Sequence, residues 1–280
     1  MRSGRILIAL VIAAIGGLFY FCRTEVNPVT GEKQRVAMSV EQETALGLQT
    51  APQMAAELGG LHPDPTLQNY VEQLGERIVA QSAARGSTYQ YDFHLLADPE
   101  TVNAFALPGG QIFITAALLR RLQDEAQLAG VLGHEIGHVV GRHSAEHLAK
   151  AQLTQILVGA AGVAGSSEES SGQQAAAVAA VVGQLVNMRY GRKDELESDR
   201  FGVRFMAEAG YDPRTLTEVM RILAEASGGS ERPEFLSTHP DPGNRQGEIE
   251  AEIQRLFPSG LPASLSRGDA SRFAAVKSRL

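Results

Sequence analysis

The chain has 280 residues, 44% of them hydrophobic and 20% charged, with a net charge of −7. That is enough apolar material for one large domain or two small ones. The basic residues are scattered, so no nucleic-acid partner is expected. A single cysteine, Cys22, excludes an internal disulfide.

Arg2 and Arg5 precede an uncharged, mostly apolar run from Ile6 to Cys22, and Arg23 closes it. Such a run lies at the lower length limit for a membrane span, and the basic residues favour keeping its N-terminal side in the cytoplasm. An uncleaved membrane anchor over 6–22 is expected, with the rest of the chain outside the cytoplasm, in a bacterial periplasm. Two alternatives exist: a lipoprotein modified at Cys22, and a cleaved signal. Both fit less well, because Leu18 to Phe21 is bulky where either cut needs small residues. Residues 23–38 are polar and turn-rich and read as a tether. Everything from 39 to 280 is then read as one folded domain.

Helical periodicity runs over Ser39–Leu58 and Leu67–Ala84, separated by Pro63-Asp64-Pro65. Tyr89–Leu96 alternates like a strand. So do Asn103–Leu107 and Gln111–Thr115, which flank Pro108-Gly109-Gly110 as a hairpin or bulged edge would. Helices are expected over about 124–163, 174–190, 193–209, 213–226 and 243–256. Gly165–Gln174 reads as a surface loop. The apolar runs beside it, Ile156–Gly165 and Ala175–Val182, are too short to cross a bilayer. The fold class is α+β: a mostly helical domain with a small sheet.

Within the helix opened by Asp124 lies His134-Glu135-Ile136-Gly137-His138. Residues four apart share a helix face, so both imidazoles can hold one Zn²⁺, with Glu135 placed as general base on its water. Gly130, Gly133, Gly137 and Gly141 form a bare stripe. Each costs roughly 1 kcal/mol relative to Ala, so another part of the site is expected to pack close to that backbone. A third ligand is needed. Carried on as one helix, the chain puts His143 about 140° from His138. His143 and His147 are therefore expected to be solvent-facing or satisfied structural histidines. On the later helix, Glu195, Asp199, Gly202, Met206 and Ala209 trace one small or apolar face. Two acids heading a core-facing stripe point to Glu195 as ligand and Asp199 as hydrogen-bond partner of a ligand histidine. Glu197 faces the other way. The alternative is a solvated acidic first turn stabilised by the helix dipole.

These motifs, with Asn103-Ala104-Phe105-Ala106-Leu107-Pro108-Gly109-Gly110 and Thr238-His239-Pro240, resemble the gluzincin metallopeptidases. That group takes in HtpX, the BepA-type periplasmic proteases, the Oma mitochondrial protease and the CAAX prenyl protease. The resemblance covers about residues 40–250, and Asn27–Gly31 is similar to exported members. It implies one zinc per chain on His134, His138 and Glu195, with Glu135 as base. It also implies a substrate-pairing edge strand at Asn103, Ala104, Phe105 and Ala106. His239 and Arg245 match a segment in which the histidine lies near the metal, stabilising the oxyanion or occluding the zinc as a fourth ligand. The chain carries neither the helical repeats of BepA-type members nor the several spans of HtpX and the prenyl protease. Docking through such repeats and processing of lipidated termini inside a membrane are therefore not expected. The expected activity is zinc-dependent endoproteolysis of extended or misfolded envelope polypeptides. The alternatives are a latent protease acting mainly as a chaperone, and a structural zinc site on a scaffold.

Overall fold

The computed structural model describes residues 2–22, 24–36, 38–165, 189–226, 234–240 and 244–280. Helix α1 (Arg2–Cys22) leads into a two-stranded antiparallel hairpin, β1 (Thr24–Val26) and β2 (Lys33–Arg35). Ser39 caps α2 (Val40–Glu57) in a reciprocal box with Gln42, and Asp64 caps α3 (Pro65–Gln81) with proline in its first turn. The chain then forms β3 (Asp92–Leu96), β4 (Ala104–Ala106) and β5 (Gln111–Thr115). Their order is β3-β5-β4, with β3 parallel and β4 antiparallel to β5, so β4 is an edge. The β4–β5 turn needs Gly109 and Gly110 at φ +84° and +104°. A Cβ on Gly109 would also collide with the backbone of Thr44 on α2.

After the short α4 (Ala116–Arg121), Asp124 caps α5 (Glu125–Val140) by accepting from the Gln127 N–H. Every residue of α5 is buried. It packs between the small sheet and the later helices, joining Leu128, Leu132 and Ile136 to Ile112, Ile114, Phe205 and Leu216 in one apolar core. There follow α6 (His143–Gly165), α7 (Arg192–Glu208), α8 (Thr215–Ala226), the short α9 (Glu234–Thr238), α10 (Arg245–Leu256) and α11 (Ala270–Lys277). The architecture is a mostly helical α+β fold, as expected.

Four differences from the sequence expectations matter. The helix expected over 124–163 is broken at Gly141–Arg142, where Arg142 takes φ +55°. The polar segment after α1 is a folded hairpin rather than a loose tether. Helix α11, unforeseen, docks Phe273 against Tyr70 at 6.4 Å between ring centroids. The expected anchor over 6–22 is helical and lies against α6, but no described helix is long and apolar enough to cross a membrane. The helix expected over 174–190 and the loop before it fall almost wholly outside the described residues.

Candidate metal centre

Helix α5 carries His134 and His138 on one face, with their Nε2 atoms 3.1 Å apart. Helix α7 brings Glu195 to them: Oε2 lies 3.5 Å from His134 Nε2 and Oε1 3.4 Å from His138 Nε2. His239, just past α9, places Nδ1 3.0 Å from Glu195 Oε1 and 3.4 Å from His134 Nε2. All four side chains are buried, and one ligand atom from each lies within 4.8 Å of the others. A tetrahedral ion with bonds of about 2.0–2.1 Å requires ligand atoms about 3.3 Å apart. The five separations above run from 3.0 to 3.5 Å, near that edge length, with Glu195 turning Oε2 to His134 and Oε1 to His138 and His239. Three imidazoles and a carboxylate are donors suited to a borderline divalent metal.

Glu135 supplies a second indication. Neither of its carboxylate oxygens has a hydrogen-bond partner among the described residues, although the side chain is fully buried. His239 Nε2 lies 3.7 Å from Glu135 Oε1. Burial raises its pKa, because a lone buried carboxylate is costly. A cation and a water at the centre would satisfy it.

The helices meet this closely because of glycine. A Cβ on Gly137 would lie 3.0 Å from the Ser198 backbone, and one on Gly202 would lie 3.3 Å from the backbone nitrogen of His134. The bare stripe of α5 therefore faces the helix that carries Glu195 and Asp199. Gly137→Ala is expected to cost about 1–3 kcal/mol by overpacking and to lower metal occupancy, read by thermal melting and by metal content. Unchanged values for both would remove the close approach as a requirement.

Behind the ligands, Asp199 Oδ1 lies 2.9 Å from His134 Nδ1. Arg245, the first residue of α10, donates to both Asp199 oxygens at 2.7 Å and reaches Glu195 Oε2 at 2.9 Å. One guanidinium thus fixes a ligand carboxylate and the acid that orients a ligand histidine. Burial opposes the charge on Asp199, but Arg245 and the His134 bond outweigh it and lower its pKa. Burial likewise opposes the charge on Glu195, which the surrounding histidines hold well below the usual carboxylate range. In the metal-free site burial disfavours the charged form of His134, yet Asp199 and Glu195 carry it up to about 9. Burial drives His138 well below its ordinary value. Expected ligands and supporting acid are thus brought to one point.

The sequence profile of peptidase family M48 matches residues 65–253. The chain belongs to peptidase family M48. It is 32% identical over 244 residues to the beta-barrel assembly-enhancing protease of Yersinia pestis, covering 85% of this chain and 49% of that protein. It is equally identical over 249 residues to the mitochondrial metalloendopeptidase OMA1 of Schizosaccharomyces pombe, covering 85% of this chain and 69% of that one. The Bos taurus mitochondrial metalloendopeptidase OMA1 is 27% identical over 285 residues, covering 93% and 52%. The chain spans about half the length of the bacterial relative.

Several residues around this M48 centre escape sequence reasoning. His143 is not at the surface: it is buried, and its Nδ1 lies 2.9 Å from His138 Nδ1. The break at Arg142 resets the helical phase, so an angle extrapolated along one continuous helix fails. His147, one turn on, bonds Asp194 at 2.7 Å, as a satisfied structural histidine would. Tyr190 stacks on His138 at 3.9 Å, and its hydroxyl bonds Ser144. Phe235 stacks on His239 at 4.4 Å. The Tyr190 N–H donates to the Thr238 carbonyl and the Phe235 N–H to Val102, which docks α9 beside the sheet edge. Only the THP motif hinted at this neighbourhood.

Edge strand β4 borders a cleft that Asn103, Phe105, Ala106, Tyr190 and His239 help to line. Asn103 pairs with Thr115, and Leu107 with Gln111, through main-chain hydrogen bonds to β5. Phe105 is opposite Phe113 in the same register. The alternate residues Ala104 and Ala106 therefore aim their N–H and C=O groups away from β5; Ala104 is fully buried, and Ala106 borders the cleft.

The N-terminal hairpin closes the far end of α5. Asn27 Nδ2 donates to the Val140 carbonyl at 2.5 Å, and Gln34 Nε2 donates to the Gly141 carbonyl. Arg142 pairs with Glu43 and Glu25. These bonds satisfy carbonyls that a helix end leaves open.

Proposed function

We propose that this M48 chain is a zinc metalloendopeptidase that binds one Zn²⁺ through His134, His138 and Glu195. Its substrates are extended or misfolded polypeptides of a bacterial envelope. The observation that carries this is the buried cluster of His134, His138, Glu195 and His239 beside a buried carboxylate with no hydrogen-bond partner among the described residues. Bound zinc supplies Lewis acidity toward the scissile carbonyl and lowers the pKa of water. Glu135 takes the proton of the attacking water and passes it to the leaving amine. Its burial, which raises its pKa, favours the shuttle in both directions. Asp199 holds His134, and Arg245 holds Asp199 and Glu195. Ala106, which lines the cleft, would offer main-chain groups to an extended peptide, so the cleft reads backbone more than side chains.

His239 has two roles open to it. In the observed placement Nδ1 approaches Glu195 and closes the site while Nε2 faces Glu135; freed from the metal, its imidazole would stabilise the oxyanion. The closed placement supports a second reading, a latent protease that acts mainly as a chaperone or assembly factor for envelope proteins. A structural zinc site is disfavoured, because it needs no base such as Glu135. Arg2, Arg5 and the exposed Ile6, Leu7, Leu10 and Ile15 of α1 support membrane association from the extracytoplasmic side.

Casein cleavage by the purified protein tests the activity. It is expected to stop with a chelator and return with added zinc. Cleavage that persists without metal would overturn the assignment. His239→Ala is expected to cleave faster than wild type if the closed vertex limits turnover. Client binding without cleavage in that variant would favour the chaperone.

A further inference from the structure

We propose that His143 is a positioning residue that sets the ring orientation and tautomer of the ligand His138, with Glu197 behind it. The inference rests on the zinc site described above. His138 turns Nε2 toward Glu195 and His134. A neutral imidazole that binds metal through Nε2 carries its proton on Nδ1. Among the described residues the hydrogen-bond partner of that Nδ1–H is His143 Nδ1, 2.9 Å away. His143 Nδ1 must then accept, which places its own proton on Nε2. That atom faces Glu197 Oε2 at 3.6 Å. His143 is thus hydrogen-bonded to His138, and the Glu197 carboxylate stands behind it as a charge facing Nε2, beyond hydrogen-bond reach.

The backbone supports a built arrangement. Arg142 takes φ +55°, a conformation that costs a non-glycine residue free energy and persists only where its surroundings hold it. The Arg142 side chain is held by Glu43, Glu25 and the Met38 carbonyl. The effect of that turn is to swing His143 back onto His138. Gly141 leaves the room: a Cβ there would collide with the His143 ring. Asp199 bonds His134 directly. On the other flank His143 bonds His138, and the Glu197 charge faces the Nε2 proton of His143 from 3.6 Å.

The test is zinc affinity by chelator competition, together with the ligand-field absorption of the cobalt-substituted full-length protein. His143→Phe keeps a ring and removes the acceptor. It is expected to weaken zinc binding about 10- to 100-fold and to alter the cobalt spectrum. His143→Asn puts a carbonyl oxygen near the Nδ1 position and is expected to recover most of the affinity. Glu197→Gln leaves both rings in place and is expected to weaken binding less than His143→Phe does. If His143→Phe does not fold, Asn and Glu197→Gln against wild type decide. Wild-type affinity and spectrum in His143→Phe, or in Glu197→Gln should that variant carry the test, would overturn the relay. So would an Asn variant no better than Phe. Failure of the wild type itself to bind zinc would instead overturn the metal site on which the relay rests.

Discussion

Glu135→Gln is expected to lower the peptide-cleavage rate about 10²- to 10⁴-fold, the usual contribution of a positioned acid–base group, while the metal stays bound. The substitution preserves shape and hydrogen-bonding reach but removes the basic oxygen. Glu135 makes no hydrogen bond among the described residues, so no structural bond is lost. Neutralising an uncompensated buried charge should hold or raise the melting temperature. Steady-state kinetics, metal content and a thermal melt check the three parts. Full activity in the variant would end the role given to Glu135. Lost metal would make it a ligand instead.

Glu195→Gln and Glu197→Gln are expected to diverge sharply. Glu195 approaches both ligand Nε2 atoms, His239 Nδ1 and the Arg245 guanidinium, with no exposed surface. Its neutral amide should abolish metal binding at micromolar zinc. It also leaves the buried Arg245 short of one carboxylate, a loss on the order of 3–5 kcal/mol when a buried pair is broken. Glu197→Gln should keep a full equivalent of zinc under the same conditions, with only the weakened affinity that the His143 relay predicts. Metal content after gel filtration and a denaturant melt measure both. The reverse order, metal lost with Glu197 and kept with Glu195, would mean that the face of α7 has been misassigned.

That face was legible because helical spacing translates directly into geometry. Glu195 and Asp199 head a stripe of Gly202 and Met206, and such a stripe is buried whatever the surroundings. The glycines of α5 were legible for the same reason, since bare helix in a core implies a close neighbour. His143 was not. Its position depends on one residue with positive φ, and arginine is not a residue type that announces such a turn. Arg142 takes it because Glu25 and Glu43 draw its side chain back, and those partners lie about a hundred residues away in sequence. Tyr190 and Phe235 stack on ligand rings through tertiary packing, which leaves no periodic signal. The hairpin over Thr24–Arg35 has short, polar strands, and nothing in their residue pattern separates them from a tether. Its side chains are satisfied by the carbonyls at the end of α5 rather than by a core.

The hairpin also limits reach. Cys22 and Thr24 are joined through one residue, so their Cα atoms are at most about 7–8 Å apart. From Thr24 onward the chain is fastened by Asn27 and Gln34 to the end of the helix that carries His134 and His138. The end of α1 and the end of the metal-binding helix are therefore tied by a short covalent span and a folded hairpin, so neither can be displaced far from the other without breaking the hairpin's bonds to Val140 and Gly141.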